Sequence, residues 1–274
     1  AKHYLNRYGV LSGQEIVIST NNDSVYSTAN ELMKAGSKVH IIDARNTISQ
    51  DIIESAKSSG IKVSLGTAPF NINGRKKVDS LDVAEHDGQK YNKVNQIKCD
   101  LVLISGGWSP TVHLLSHRGV RPVWDPVNLC FLPNEIQEPI TVTGSAAGIW
   151  KTDDCIESGL AAGLKAAQSL GVNTINYSFP KPGGWKNPIS PLYEVGYNKN
   201  YSKSFVDFQH DVKCDDVRLA HREGFISVEH LKRYTTLGMA NDQGKMGNII
   251  GLALMAELLN KQIPEVGTTV FRPP

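Results

Sequence analysis

The sequence predicts an α/β protein in which a parallel sheet with flanking helices comes first and a small helix-rich unit follows. Three observations predict this fold class. Short β-branched runs alternate with helical periodicity through the first 100 of the 274 residues. Residues 173–200 are rich in Pro, Gly and Asn, which is typical of a domain linker. Beyond this linker, apolar residues recur at helical spacing in several short stretches.

The first part of the chain alternates between strands and helices. Glu15–Thr20 is a β-branched run, and the turn after it offers good N-cap residues for a helix. Gly36 and Gly60 each end a helix. The predicted elements are strands at 15–20, 38–42 and 61–65 and helices at 25–35 and 49–59. Because this order requires parallel pairing and right-handed crossovers, it predicts a Rossmann-like half.

The remaining elements follow from the same patterns. Polar alternation from 78 to 96 predicts a β-hairpin that turns at Asp87-Gly88. A helix rich in small residues is predicted from Thr152 or Asp153 to Leu170. The other predicted elements are strands at 101–104, 140–143 and 205–208 and helices at 111–117, 215–223, 228–236 and 246–259.

Composition excludes several classes of function. Lys and Arg total 29 against 27 Asp and Glu, so the chain lacks the charge excess typical of a nucleic-acid binder. No apolar run reaches the roughly 20 residues of a membrane span. Four scattered cysteines predict a reduced, cytoplasmic protein without a thiolate metal site. His113 and His117 have helical zinc-ligand spacing but lack the glutamate of a zincin, so no metal site is predicted.

The first candidate site is the turn Thr20–Ser24 after the first strand. A dinucleotide fingerprint needs glycines here, and this turn has none. Asp43 does stand about 20 residues on, where a ribose-binding acid is expected. Since Asp23 opposes an anionic phosphate, we favour a structural Rossmann-like domain over nucleotide binding at this turn.

The second candidate is the corner at 144–152, where a small-residue turn leads into a helix N-terminus. Asp153 and Asp154 would repel a phosphate placed on the helix axis. We therefore expect the sugar or diphosphate edge of NAD to pass near Ser145, Trp150 and Thr152. The alternative for Trp150 is a role in the core.

The third candidate interleaves cations with hydroxyls near glycine, which suits a phosphate or an acidic partner surface. Its residues are Lys232, Arg233, Thr235, Thr236 and Lys245. The alternative is a solvated helix face. Ser105-Gly106-Gly107 is not a nucleophile elbow, and no catalytic residue is predicted in this chain.

Six segments of the sequence are distinctive: LNRYGV, TNNDSVY, SGGWSPTVHLLS, VDFQHDV, REGFISVEHLKRYTTLGMANDQGK and IPEVGTTVFRPP. These segments closely resemble the α subunit of heterotetrameric sarcosine oxidase. The resemblance implies a two-dinucleotide-binding-domain flavoprotein fold and an α subunit that binds NAD and works with β, γ and δ subunits. It implies oxidative demethylation of sarcosine to glycine, with hydrogen peroxide formed and the one-carbon unit passed to tetrahydrofolate. FAD and FMN are expected mainly in the β subunit, with FMN near the third candidate.

The resemblance also implies a domain organisation. Residues 1–98 are an inserted Rossmann-like domain, 99–172 close the main dinucleotide-binding domain, and 173–200 are the linker. Residues 201–264 resemble the small [2Fe–2S] domain of bacterioferritin-associated-ferredoxin type, and 265–274 begin an aminomethyltransferase-like domain that would carry tetrahydrofolate. The chain is thus expected to be the central piece of a longer subunit. Alone, it is expected to be inactive and to bind NAD weakly or not at all.

The cluster-binding pattern is replaced in this sequence. The four positions that hold cysteines in relatives with a cluster hold Asp207, Gln209, Asp242 and Gly247. The resemblance therefore implies the fold without the cluster. Two alternatives stay open: an opine- or proline-dehydrogenase-type subunit, and an assembly scaffold that binds no cofactor.

Overall fold

The computed structural model describes residues 1–86, 91–134, 140–175, 177–178, 187–195 and 204–267. The chain divides into two compact units. The first comprises Ala1–Gly107 with Trp185–Ser202, and the second comprises Trp108–Gly184 with Lys203–Pro274. No helix among the described residues is both long and apolar enough to cross a membrane.

The first unit is built on a four-stranded parallel sheet. Its elements are α1 Lys2–Tyr8, β1 Glu15–Thr20, α2 Val25–Lys34, β2 Lys38–Asp43, α3 Gln50–Ser58, β3 Lys62–Leu65, β4 Thr67–Asn73, β5 Ser80–His86, β6 Tyr91–Lys98 and β7 Leu101–Ser105. The strand order is β3-β2-β1-β7, and all three pairings are parallel. This confirms the predicted Rossmann-like α/β fold.

The core of this unit explains why the spacing of apolar residues differs between strands and helices. Ile16, Ile18 and Ile41 alternate onto the sheet face that meets the helices, and all three are buried. Ala29 and Leu32, three residues apart on α2, complete this layer at 0% exposure. Because β1 pairs on both sides, it is buried along nearly its whole length.

A three-stranded antiparallel sheet, β4-β5-β6, is larger than the hairpin that the sequence predicts. The additional strand, β4, carries Pro69 and a register shift between Pro69 and Asn71, so its alternation is broken. The predicted turn at Asp87-Gly88 lies outside the described residues. The predicted strand at 101–104 is confirmed as β7, which lies at one edge of the described parallel sheet with Ile104 65% exposed.

A histidine–serine pair lies on neighbouring strands of the parallel sheet. His40 Nε2 is 2.9 Å from the Ser64 hydroxyl oxygen. Burial, and secondarily the positive charge of Lys62, lower the pKa of His40 from 6.5 to about 4. The folded state therefore favours the neutral imidazole.

This pair predicts a pH dependence of stability. Above about pH 6.5 the histidine is neutral in both states, and as the pH falls toward 4 only the unfolded state takes up the proton. We expect the free energy of unfolding to fall by up to about 3 kcal/mol over this interval. Urea titrations of His40→Gln should lack this component, whereas the exposed His117→Gln should keep it. Equal pH profiles for the two variants would contradict the assignment.

The second unit contains a helical subdomain and shorter elements. They are α4 His113–His117, β8 Val123–Asp125, β9 Cys130–Leu132, α5 Thr152–Ser169, β10 Phe205–Asp207, β11 Val212–Lys213, α6 Cys214–Arg222, α7 Val228–Thr235, α8 Asn248–Leu258 and α9 Ile263–Val266. The predicted helices at 152–170, 215–223, 228–236 and 246–259 are confirmed within a few residues. Leu231, Leu252 and Met255 form the centre of the subdomain core at 0–1% exposure.

The predicted strand at 140–143 is wrong. These residues adopt no regular structure, and a 3₁₀ turn, Gly144–Ala147, follows them. Ile140 is 39% exposed. A β-branched run becomes a strand only where a neighbour completes its hydrogen-bond ladder, and no described residue pairs with this segment.

Candidate functional site

The carboxyl ends of β1 and β2 bring the first candidate turn next to Asp43. Asp43 is completely buried, and both of its carboxylate oxygens are occupied. Oδ1 accepts hydrogen bonds from Arg45 N and Nε, each at 3.0 Å. Oδ2 accepts from Arg45 Nη2 at 2.7 Å and from the Tyr26 hydroxyl at 2.9 Å. Because Asp43 is completely buried and already accepts four hydrogen bonds, its carboxylate is not available to a ribose hydroxyl in this structure.

The electrostatics of this cluster keep the side chains of Tyr26 and Arg45 protonated. Burial raises the pKa of Tyr26, and the adjacent Asp43 raises it further, so the phenol stays protonated. Burial alone would lower the pKa of Arg45, but hydrogen bonds and attraction from Asp43 and Asp23 raise it overall. Hydrogen bonds and opposite charges therefore join these four side chains in one buried ion network.

The second candidate corner lies in the second unit, where the 3₁₀ turn leads into the 18-residue helix α5. Gly144 has a φ of +61°, a conformation that favours glycine. Ser145 and Thr152 are exposed. Lys151 is the N-cap residue and makes no side-chain capping bond among the described residues. The exposed side chains of Ser145, Lys151 and Thr152 thus lie at the N-terminal end of α5.

Two tryptophans meet at this corner, one of which sequence reasoning missed. The ring centroids of Trp108 and Trp150 are 6.1 Å apart with an interplanar angle of 37°. Trp108 is 51% exposed. The only sequence signal for Trp108 was its place directly after Gly106-Gly107 at the end of a strand, about 40 residues from Trp150. The pair offers an aromatic surface beside the proposed NAD edge.

The structure separates the residues of the third candidate. Lys232 is 5% exposed and lines the interior with Leu231, whereas Arg233, Thr236 and Lys245 are exposed. Thr235 is half-buried, and its hydroxyl donates to the Leu231 carbonyl at 2.8 Å. The stretch is therefore not one continuous polar surface.

The four positions at which the resemblance implies lost cluster ligands lie in loops that are held by local contacts. Asp207 Oδ1 accepts from Gln209 N at 2.8 Å, and Gln209 Oε1 accepts from Asn241 N at 2.9 Å. Asp242 accepts from the backbone of Gly244 and Met246 at 3.3 and 3.2 Å. A Cβ at Gly247 would lie 2.8 Å from the Val206 carbonyl oxygen. In this arrangement the side chains of Asp207, Gln209 and Asp242 stabilise the backbone of their own loops.

No group of three or more His, Cys, Asp or Glu side chains within the described part of the chain could hold a metal ion. The thiols of Cys99, Cys130 and Cys214 are buried. Burial, with a smaller effect of Asp125, raises the pKa of Cys130 to about 12, which makes it an unreactive thiol.

The fold and its matches define the class of protein. Residues 26–123 match the family described as pyridine nucleotide-disulphide oxidoreductase. The L-proline dehydrogenase from P. horikoshii has the same fold, with a TM-score of 0.65 and 18% identity over 99% of this chain and 50% of that one. The chain thus has the Rossmann-like fold of dinucleotide-binding oxidoreductases, together with a small helical domain.

The particular family follows from sequence. Residues 201–274 match the sarcosine oxidase A3 domain. The chain is 33% identical to the sarcosine oxidase subunit alpha of Corynebacterium sp. (strain P-1) over 100% of its length, and 37% identical to that of Rhizobium meliloti (strain 1021) over 98%. Along its whole length the chain is similar to a part of the α subunits of sarcosine oxidase. It spans 29% and 26% of the lengths of these two relatives.

Proposed function

We propose that this chain is the part of a sarcosine oxidase α subunit that supports NAD binding and docks the flavin-bearing β subunit. The complex would oxidatively demethylate sarcosine to glycine, forming hydrogen peroxide and methylene-tetrahydrofolate, and would include γ and δ subunits. The observation that carries the proposal is the 33–37% identity with sarcosine oxidase α subunits along the whole chain. No residue of this chain is assigned to the chemical step, because amine oxidation is assigned to the flavin of the β subunit.

The corner at the start of α5 supports the NAD part of the proposal. Exposed Ser145 and Thr152 place hydroxyl groups beside helix N–H donors, and Lys151 adds a positive charge. Asp153 and Asp154 in the first helical turn disfavour a phosphate on the helix axis, so these groups would hold the sugar or diphosphate edge. When bound, NAD supplies a nicotinamide ring that can accept a hydride.

The exposed members of the third candidate support the docking part. Arg233, Thr236 and Lys245 present two cations and a hydroxyl on the helical subdomain. Arg233 Nη1 is 3.2 Å from Glu229 Oε2, and both side chains are more than half exposed. An exposed pair of this kind contributes little to stability, so Arg233 can exchange partners at an interface at little energetic cost. We assign these residues to the β-subunit junction, near FMN.

The NAD site can be tested by calorimetry on the native α subunit that contains this sequence. We expect Thr152→Ala to raise the NAD dissociation constant about 5-fold, the loss of one hydrogen bond. The control is Thr174→Ala beyond the far end of α5, whose hydroxyl accepts from Gln168 Nε2 at 2.6 Å. Equal NAD affinities for the two variants would show that NAD does not bind at Thr152. If neither wild type nor the variants bound NAD, the result would favour a cofactor-free scaffold.

A further inference from the structure

Residues 187–190 belong to the first unit and contact its turns, although the sequence assigns them to a linker. Asn187 is 7% exposed and binds the carboxylate of Asp23 in two ways. Its backbone N–H donates to Asp23 Oδ2 at 3.1 Å, and its Nδ2 lies 3.1 and 3.2 Å from the two carboxylate oxygens. We call residues 187–190 the strap.

Two further anchors hold the strap. Ser49 N donates to Asn187 Oδ1 at 2.7 Å, and Asn187 Nδ2 is 3.2 Å from Ser49 Oγ. Asn21 Nδ2 donates to the Ser190 carbonyl at 2.8 Å, and Ser190 N donates to the Asn21 carbonyl at 3.3 Å. Ile189 between these anchors is 8% exposed. The strap is thus fixed by backbone, side-chain and apolar contacts.

The anchors occupy a particular place in the fold. Asn21 and Asp23 follow the carboxyl end of β1, and Ser49 is the N-cap residue of α3 after β2. In open parallel sheets this edge is the crevice that receives ligands. Asp23 is in turn held by Arg45 Nη1 at 2.7 Å. The strap therefore sits on the two turns that a dinucleotide would contact in a functional Rossmann-like domain.

We propose that the strap is a built-in ligand of this crevice and closes the first unit to nucleotides. The neutral amide of Asn187 donates to the Asp23 carboxylate, a group that would repel a diphosphate. Both polar groups of the Asn187 side-chain amide are used, because Oδ1 accepts a hydrogen bond while Nδ2 donates. This inference goes beyond the proposed function and does not depend on NAD binding in the second unit.

Amide hydrogen exchange of the native subunit tests the strap. We expect Asn187→Ala to speed exchange of the Ser49 and Ser190 amides at least about tenfold, because their acceptors are lost or released. Exchange of the Ile18 and Ile41 amides in the core strands should stay unchanged, which shows that the unit remains folded. The matched control is Asn173→Ala at an exposed position. Unchanged exchange of the Ser49 and Ser190 amides in Asn187→Ala would contradict the proposal that Asn187 holds the strap in place.

Added nucleotide supplies the second measurement. With millimolar NAD or ADP, the amides of residues 20–24 and 187–190 should exchange at the rates seen without nucleotide. Slower exchange at 20–24 together with faster exchange at 187–190 would show that nucleotide displaces the strap and would overturn the proposal. A failure of NAD to bind at the α5 corner would leave the strap result unaffected and would count only against the proposed function.

Discussion

Arg45→Met is expected to lower the free energy of unfolding of the first unit by about 3–5 kcal/mol. The arginine side chain is 4% exposed, and it neutralises Asp43 at 0% and Asp23 at 10% side-chain exposure. Methionine fills similar volume but leaves a completely buried carboxylate without its cation. Breaking one partner of such a pair costs far more than the net contribution of the intact pair, because the remaining charge stays buried.

Urea denaturation with matched variants separates this effect from a general loss of an arginine. Arg75→Met, at an exposed position of the same unit, should change stability by less than about 0.5 kcal/mol. Arg45→Met combined with Asp43→Asn should be more stable than Arg45→Met alone, since the stranded charge is removed. If Arg45→Met and Arg75→Met had the same free energy of unfolding, the buried ion network would not stabilise the sheet edge as described.

Gly238→Ala is expected to destabilise the helical subdomain by about 2–5 kcal/mol. Gly238 has a φ of +73°, and an added Cβ would overlap Asn248 Oδ1. The Asn248 side chain is 3% exposed, and a Cβ added at Gly244 would also overlap it. Asn248 therefore has little room to retreat, and the strain of the left-handed backbone adds to the steric overlap.

A second glycine isolates the backbone contribution. Gly224 has a φ of +91°, but an added Cβ would meet no described atom within 4 Å, so Gly224→Ala should cost only about 1–2 kcal/mol. Adding Asn248→Ala to Gly238→Ala should recover at least about 1 kcal/mol by opening space. Thermal unfolding of wild type and these three variants gives the comparison. Equal losses for the two single glycine variants would show that Asn248 does not confine position 238.

The regular elements were predictable because their signal is local. Helix α2 buries residues at spacings of three and four, and β1 is a β-branched run bounded by turn residues, so each shows its environment within a few positions. The ITVT run at 140–143 has the same local signal but no strand partner among the described residues, and there the prediction was wrong. Strand propensity is realised only through a neighbour that the local sequence does not specify.

The contacts that decide the sites are long-range, and no local pattern reports them. Asn187 meets Asp23 across 164 positions of the sequence, from a segment whose Pro/Gly-rich composition indicates only a linker. The missing glycines at 20–24 disfavour a phosphate at this turn, but they give no indication that Asp43 is completely buried beside it. Lys232 and Arg233 are adjacent and chemically alike, and only packing shows that one is interior and the other exposed.

We propose above that this chain is part of an α subunit whose reactive centre lies on a partner subunit. The most direct test of this proposal is co-purification of the native polypeptide, with intact masses and flavin absorbance recorded, for wild type, Arg233→Glu and the exposed control Arg222→Glu. We predict that a flavoprotein β chain and sarcosine-oxidising activity accompany wild type and Arg222→Glu, and that Arg233→Glu retains less of both. Purified α subunit that oxidises sarcosine without a second polypeptide, or wild type that brings no flavoprotein with it, would contradict the account.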